Sequence, residues 1–204
     1  MQINFDQLTT SQRYFQMIQT LVPRPIAWVL SEHENGKLNL APFSYFSAIC
    51  ADPALVMISV GKKSPGEEKD TRNNIEARRY FVIHIPSMDQ LAVMNDSSAT
   101  MPAGVSEIEQ LGLETVALEN FPLPRLKDAR AAFACELHAL HEMGNSGQAV
   151  IYGEVKQLYL SDEIIEHGKD GRIKVDAEKL DPVARLGANE YAALSQIIRL
   201  PRPA

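Results

Sequence analysis

Between positions 69 and 75 the chain reads KDTRNNI, which packs an ammonium, a carboxylate, a hydroxyl, a guanidinium and two amides into seven residues. Such groups at the start of a helix suit an oxyanion, because the first turn leaves backbone N–H groups unpaired and carries the positive end of the helix dipole. Lys69 and the Thr71 hydroxyl are the candidate side-chain contacts, with Asp70 or Thr71 as the candidate cap. A capped surface helix with a solvated lysine explains the same residues, and the stretch alone supports both readings. A second stretch, NLAPFSYFSAICADPALVMISV from Asn39 to Val60, runs a strand into Ala-Pro and then a serine–aromatic corner. There the hydroxyls of Ser44 and Ser47 and nearby backbone N–H groups sit beside flat rings, which suits the edge and face of a planar heterocycle. A sheet corner held by serine turns is the simpler alternative.

Other candidates point away from chemistry. His138 and His141 are three apart on an expected strand, which puts them on opposite faces and argues against a metal pair. His84, inside the apolar run VIHI, reads as a hydrogen-bonded interior or subunit-contact histidine. Cys50 and Cys135 stand 85 positions apart in apolar surroundings and read as buried, reduced thiols rather than a disulfide or a nucleophile. The chain has no G-x-S-x-G, no P-loop and no G-x-G-x-x-G, and no spacing singles out an acid–base pair. Chemistry carried by a bound cofactor fits that absence, because the cofactor supplies the reactive atom and the protein mainly positions it.

These residues need a scaffold, and 204 residues with 45% apolar content suffice for one domain, 1–204, with a sizeable core. A net charge of −6 argues against nucleic acid and anionic membranes as partners. No apolar run reaches membrane-spanning length, so the expectation is a soluble, cytoplasmic protein. The segment from Gly61 to Arg79 departs from that acidity, with six cations against four acids, and so offers a place for a small anion.

The apolar period is mostly two. PIAWVLS (25–31) and LNLAPFSYF flank EHENGK, whose Asn35-Gly36 pair predicts a tight hairpin. ALVMISV (54–60) and YFVIHI (80–85) read as buried strands, separated by the loop GKKSPGEEK and a helix over 70–79. SMDQLAVMN and SEIEQLG read as two further short helices. AAFACELHALHEM (131–143), with Phe133, Cys135, Leu137 and Ala139 on one side, and QAVIYGEVKQLYL (148–160) read as long neighbouring strands across the turn GNSG. The tail from Asp181 is expected to hold a loop, a short helical turn and a proline-ended extension. Six or seven strands with three short helices favour a closed or split β-barrel over a doubly wound parallel sheet.

In order and spacing, VPRPIAWVLSEHENGKLNLAPFSYFSAICADPALVMISV, KDTRNNIEARRYFVIHI, PAGVSEIEQLGLETV, RLKDARAAFACEL and RLGANEYAAL…RLPRP resemble the flavin reductase-like, FMN-binding split-barrel family, especially its flavoredoxin-like branch. The resemblance implies a mostly β fold with short helices, a Greek-key split barrel that forms a homodimer with FMN near the interface. It also implies that Asn39, Ala41, Ser44 and Tyr45 meet the flavin ring and ribityl chain, with Ser59 on the next strand. Lys69, Asp70, Thr71 and Asn74 then form the phosphate end, and Arg24 and Trp28 are further contacts on the first strand. The Gly-Asp-His signature found near the nicotinamide of some short-chain flavin reductases is absent; EHGKDG (166–171) has its residues in another order.

The reading that follows is an FMN-binding oxidoreductase that passes hydride from NAD(P)H to flavin and electrons onward to an acceptor protein or monooxygenase. The alternative is a non-catalytic FMN-binding electron carrier reduced by a partner protein, with haem or a pyridoxine derivative as other split-barrel ligands. No catalytic side chain and no metal ligand is assigned.

Overall fold

The computed structural model describes residues 1–63, 66–168, 171–201 and 203. Ser64 and Pro65 of the GKKSPGEEK loop, Lys169 and Asp170 of EHGKDG, and Arg202 and Ala204 of the tail lie outside the described residues. The chain begins with α1 (Thr10–Thr20), β1 (Arg24–Pro25), β2 (Ala27–Glu32), β3 (Leu38–Phe43), β4 (Phe46–Ala51) and β5 (Ala54–Val60). It continues through α2 (Asp70–Arg78), β6 (Tyr80–His84), α3 (Leu91–Asp96), α4 (Glu107–Gln110), β7 (Thr115–Val116), β8 (Arg125–Leu126), β9 (Ala131–Met143) and β10 (Gln148–Leu160). The last elements are β11 (Ile165–His167), β12 (Ile173–Val175), α5 (Ala177–Leu180), β13 (Ala184–Arg185) and β14 (Tyr191–Ala192).

Seven strands form one antiparallel sheet in the order β3-β2-β6-β9-β10-β5-β4. Its two edge strands, β3 and β4, are consecutive in sequence and joined by Ser44 and Tyr45. The Tyr45 carbonyl accepts a 2.8 Å hydrogen bond from the Ser59 N–H of β5. The serine–aromatic corner thus carries the chain from one edge of the sheet to the other and closes one side of a split barrel.

Both faces of the sheet are covered, which explains why β2 reads as a continuous apolar run. Ala27 and Val29 face an interior with Phe43, Ile58, Phe81 and Ile151, while Trp28 and Leu30 face a second core with Leu40, Val82, Met94 and Leu126. Ile75 of α2 enters the first core and is fully buried, so α2 is held against the barrel by packing even though most of its other residues are polar. The β3 edge is covered by α4: the Leu40 N–H donates to Glu107 Oε2 at 2.8 Å, and Ser106 Oγ donates to the Leu38 carbonyl at 2.5 Å. Unpaired edge groups are thereby satisfied within the chain.

The hairpin at Asn35-Gly36 is present, but its turn is the four-residue His33–Gly36, closed by Gly36 N–H to His33 C=O at 3.0 Å. Only Gly36 takes a positive φ, +79°, so this is not the two-residue primed turn that Asn-Gly suggests. The long β9–β10 ladder is interrupted where Tyr152 pairs with Ala139 but Gly153 with Leu137, leaving His138 as a bulge. Beyond the bulge Leu140, not Ala139, packs on the barrel core, and the parity argument about His138 and His141 no longer applies. Among the described residues no three His, Cys, Asp or Glu side chains gather in a metal-binding group. A Cβ at Gly153 would collide with the Phe81 ring and press on Cys135, which explains glycine at the bulge.

Other expectations change. The capped helix α1, with Thr9 and Gln12 forming a capping box, and the separate strand β4 were not anticipated. The expected helical turn in the tail is instead the β13–β14 hairpin, which pairs with β1. Cys50 is exposed because β4 is an open edge, whereas Cys135 is buried, which raises its thiol pKa. His84 is interior: its Nδ1 lies 3.0 Å from the Trp28 carbonyl and its Nε2 accepts from the Leu126 N–H at 2.9 Å. Those partners assign the neutral ring with Nδ1–H, and burial pushes the pKa down to about 4. No helix of the described residues is long and apolar enough to cross a membrane.

Candidate functional site

The start of α2 differs from the expected capped terminus. Lys69 is the N-cap residue and its side chain makes no capping bond; Asp70 binds Lys63 Nζ at 2.9 Å, and Thr71 Oγ1 accepts from Asn39 Nδ2 at 3.0 Å. The Lys69 carbonyl takes the N–H groups of Arg72 and Asn73, while those of Asp70 and Thr71 have no protein acceptor among the described residues. Because Asn39 fills an acceptor position on Thr71 Oγ1, the hydroxyl proton is left to donate elsewhere.

This terminus opens on a small pocket of about 50 Å³, lined by Asn39, Ala41, Lys63, Lys69, Asp70 and Thr71, with Ser97–Met101 and Glu107 on the far side. The local excess of cations in the sequence is reduced to very little here. Lys62 pairs with Glu68 at 3.1 Å, Arg72 with Glu68 and Glu142 at 2.9 and 2.6 Å, and Arg78 with Glu32 at 3.3 Å. Lys69 has no acidic partner among the described residues and lies 5.5 Å from the Phe43 ring centroid. Burial, and then repulsion from Lys63, lowers its pKa, the signature of a cation held in place without its counter-ion. Glu107, buried beside the same pocket, has its carboxyl pushed up by burial, against the downward pull of its backbone hydrogen bonds.

Following β3 from Asn39 and Ala41 to Phe43 and Ser44 leads from this pocket into a cavity of about 400 Å³, and Ser98 lines both. The larger cavity has Ile18, Ile26, Phe43 and Met94 as apolar walls, and Arg24, Ser44, Asn95 and Arg185 among its polar groups. Its size suits a drug-sized planar ligand. Arg24 lines this cavity, but its donors are spoken for: Nε reaches Ser44 Oγ at 3.3 Å, Nη1 the carbonyls of Ile18 and Leu21, and Nη2 that of Leu186. Its main work is to tie α1 and the C-terminal hairpin to the cavity wall.

Several sequence candidates stand outside both spaces. Trp28 is fully buried in the second core, where its indole N–H donates to Ser97 Oγ at 2.9 Å. It supports the pocket wall from behind. The Ser59 hydroxyl accepts from Gln148 Nε2 at 3.0 Å, and Ser47 bonds the neighbouring Ala48 carbonyl on the exposed strand β4. Asn74 turns to the other side of α2, where its Nδ2 donates to Ser31 Oγ at 3.1 Å and lies 3.4 Å from His33 Nδ1. Since Asn39 also donates to Ser31 Oγ, at 3.3 Å, Asn74 braces the pocket through a buried chain. Tyr45 sits behind Arg24 with its ring 6.5 Å from Tyr14, and its buried hydroxyl has no partner among the described residues. The residues that sequence reasoning missed are Lys63, Ser98, Glu107 and Arg185, which come from loops or from elements distant in the chain.

Comparison with known proteins decides the family. The family model for the flavin reductase like domain matches residues 19–171. The chain belongs to the flavin reductase-like family. Nitrilotriacetate monooxygenase component B from Bacillus cereus is similar over 98% of both chains, with 31% identity and a TM-score of 0.89. The 2-nitrobenzoate 2-nitroreductase NbaA of Pseudomonas fluorescens is 28% identical with a TM-score of 0.88, covering 100% of this chain and 96% of that one. Flavoredoxin of Desulfovibrio vulgaris (Miyazaki F), at 19% identity and a TM-score of 0.76 over 98% of this chain and 97% of its own, shares the fold alone. The family's split barrel is thus the fold of this chain.

Proposed function

We propose that this flavin reductase-like protein binds FMN along β3 and catalyses its reduction by NAD(P)H. The observation that carries the reading is the uncapped start of α2, where two open N–H groups, the Thr71 hydroxyl and the unpaired Lys69 face a pocket continuous along β3 with the larger cavity. A phosphate satisfies all four donors at once and supplies the negative charge that would draw the Lys69 pKa back up toward the ordinary lysine range. Ala41 leaves room beside the strand for the ribityl chain, and Phe43, Ile18 and Met94 shield the ring from water. Ser44, already receiving the Arg24 N–H, presents its own hydroxyl to the ring edge.

When bound, FMN would supply a two-electron acceptor for the hydride of NAD(P)H, and one proton from solvent would balance the reduction. None of the described side chains is needed as an acid or base for that step; their work is to hold the ring, to exclude water from it and to leave one face open. Similarity to a monooxygenase component B favours an enzyme that hands reduced flavin to a separate oxygenase over a carrier that receives electrons from a partner protein.

The homodimer remains part of the proposal. β6 is covered on both sides within the chain, whereas β4, with Ile49 48% exposed, and the tail, with Ile198 71% exposed, leave apolar side chains bare. The deciding experiment is an anaerobic titration of the FMN-loaded protein with NADH and with NADPH. Bleaching at 450 nm by either supports the enzyme; bleaching by dithionite alone removes it in favour of the carrier.

A further inference from the structure

The ring end of the cleft holds more positive charge than a neutral flavin ring requires. Arg24 and Arg185 both line the 400 Å³ cavity, and among the described residues no aspartate or glutamate does. Arg24 is occupied by three carbonyls and a hydroxyl, as described above. Arg185 is different: one Nη2–H goes to the Ala188 carbonyl, and the rest of its fork has no acceptor and no acidic partner among the described residues. The guanidinium is stacked 4.4 Å from the centroid of Tyr191, whose hydroxyl donates to Asn95 Oδ1 of α3 at 2.9 Å. Stacking fixes the plane of the fork and leaves its edge available, the arrangement that favours two-point binding of a planar oxyanion.

The same hairpin separates this cavity from an open groove of about 810 Å³, and Asn95, Asn189 and Tyr191 line both. Asp89 is the acid of that groove, and it is paired with Arg130 at 2.9 Å. A negatively charged reactant arriving through the groove therefore meets no uncompensated carboxylate before it reaches Arg185. An FMN phosphate anchored at α2 does not satisfy Arg185, because the phosphate pocket lies at the opposite end of β3 from the wall that Arg185 lines. We infer that Arg185, held by Tyr191, is the receptor for an oxyanion carried by the second reactant, either the phosphate of a nicotinamide nucleotide or the carboxylate of an organic electron acceptor. The inference rests on the flavin reading of the cleft and adds the chemical class of what meets the flavin there.

The test is equilibrium binding to the FMN-loaded protein, read by the flavin difference spectrum and by calorimetry, with sodium benzoate, neutral benzamide and ADP as probes. The parent is expected to bind at least one of the two anions and to prefer benzoate to benzamide if the carboxylate is the source. Arg185→Gln should weaken the responding anion at least tenfold with FMN affinity unchanged, and Arg185→Lys should fall between, since it keeps the charge but not the fork. A response to benzoate alone assigns the organic acid, and a response to ADP alone assigns the nucleotide. No response to either anion in the parent, anion binding unchanged in Arg185→Gln, or loss of FMN together with the anion would each overturn the inference. Failure of the parent to take up FMN at all would sink the flavin reading instead, and calorimetry of the same anions against the flavin-free protein still reads Arg185, because all its present contacts are to protein.

Discussion

Replacing Lys69 by alanine separates ligand holding from helix capping, because the structure gives this side chain no other strong partner. In the flavin-free protein its side chain caps nothing, pairs with no acid among the described residues and lies 5.5 Å from the Phe43 ring centroid. That contact is worth about 0.5–1 kcal/mol, and it is offset by removing a half-buried cation beside Lys63. Apoprotein stability should therefore change by less than about 1 kcal/mol. Against a phosphate the balance is different. Two unit charges about 4 Å apart at an effective dielectric near 20 attract by about 4 kcal/mol, and desolvation removes roughly half, in line with about 1.5–3 kcal/mol for a charge-assisted hydrogen bond. A loss of about 2 kcal/mol is roughly a 30-fold weaker FMN complex. Riboflavin, which lacks the phosphate, should bind both proteins alike. Fluorescence quenching with FMN and riboflavin at two salt concentrations, beside thermal melting of the apoprotein, measures each quantity. An alanine variant that melts several degrees lower yet binds FMN like the parent would refute the assignment, and so would equal losses for the two flavins.

Three other outcomes test the surrounding architecture. His84 is neutral in the fold with its pKa near 4 against 6.5 when unfolded, so stability is lost as pH falls from about 6.5 toward 4, by up to about 3 kcal/mol. Urea midpoints measured at pH 7 and pH 5 should fall more for the parent than for His84→Gln, and parallel curves would contradict the buried neutral ring. Gly153→Ala should cost about 1–3 kcal/mol in urea unfolding, because its methyl group meets the Phe81 ring in the core, and a neutral result would mean that the bulge relaxes freely. Glu107→Gln keeps an acceptor for the Leu40 N–H while removing a carboxylate from the phosphate pocket, so FMN should bind a few-fold tighter, more so at pH 8 than at pH 5. Weaker binding at both pH values would show that the carboxylate is needed there.

The two long strands were legible from the sequence to the residue, since thirteen-residue runs of β-branched, aromatic and alternating apolar side chains fit little else. The helix expected over 70–79, observed at Asp70–Arg78, and the hairpin at Asn35-Gly36 were legible too, because local turn and breaker residues set them. What failed was whatever depends on partners remote in the chain. Asp70 and Thr71 do not cap the helix: their side chains pair with Lys63 and Asn39, and their N–H groups keep no protein acceptor among the described residues. Trp28 looked like a ligand contact on its strand, but β2 is buried on both faces and α3 claims its indole N–H through Ser97.

Residue types and short spacings thus determined most of the long strands and the start of α2. Only the tertiary structure decided which charges remain unpaired. Neutralising partners such as Glu142 for Arg72 lie 70 positions away, and Arg185 reaches the cavity only because the C-terminal hairpin pairs with β1. Coulomb energy falls with distance in space, not along the chain, so a cation's availability for a ligand is fixed by the fold.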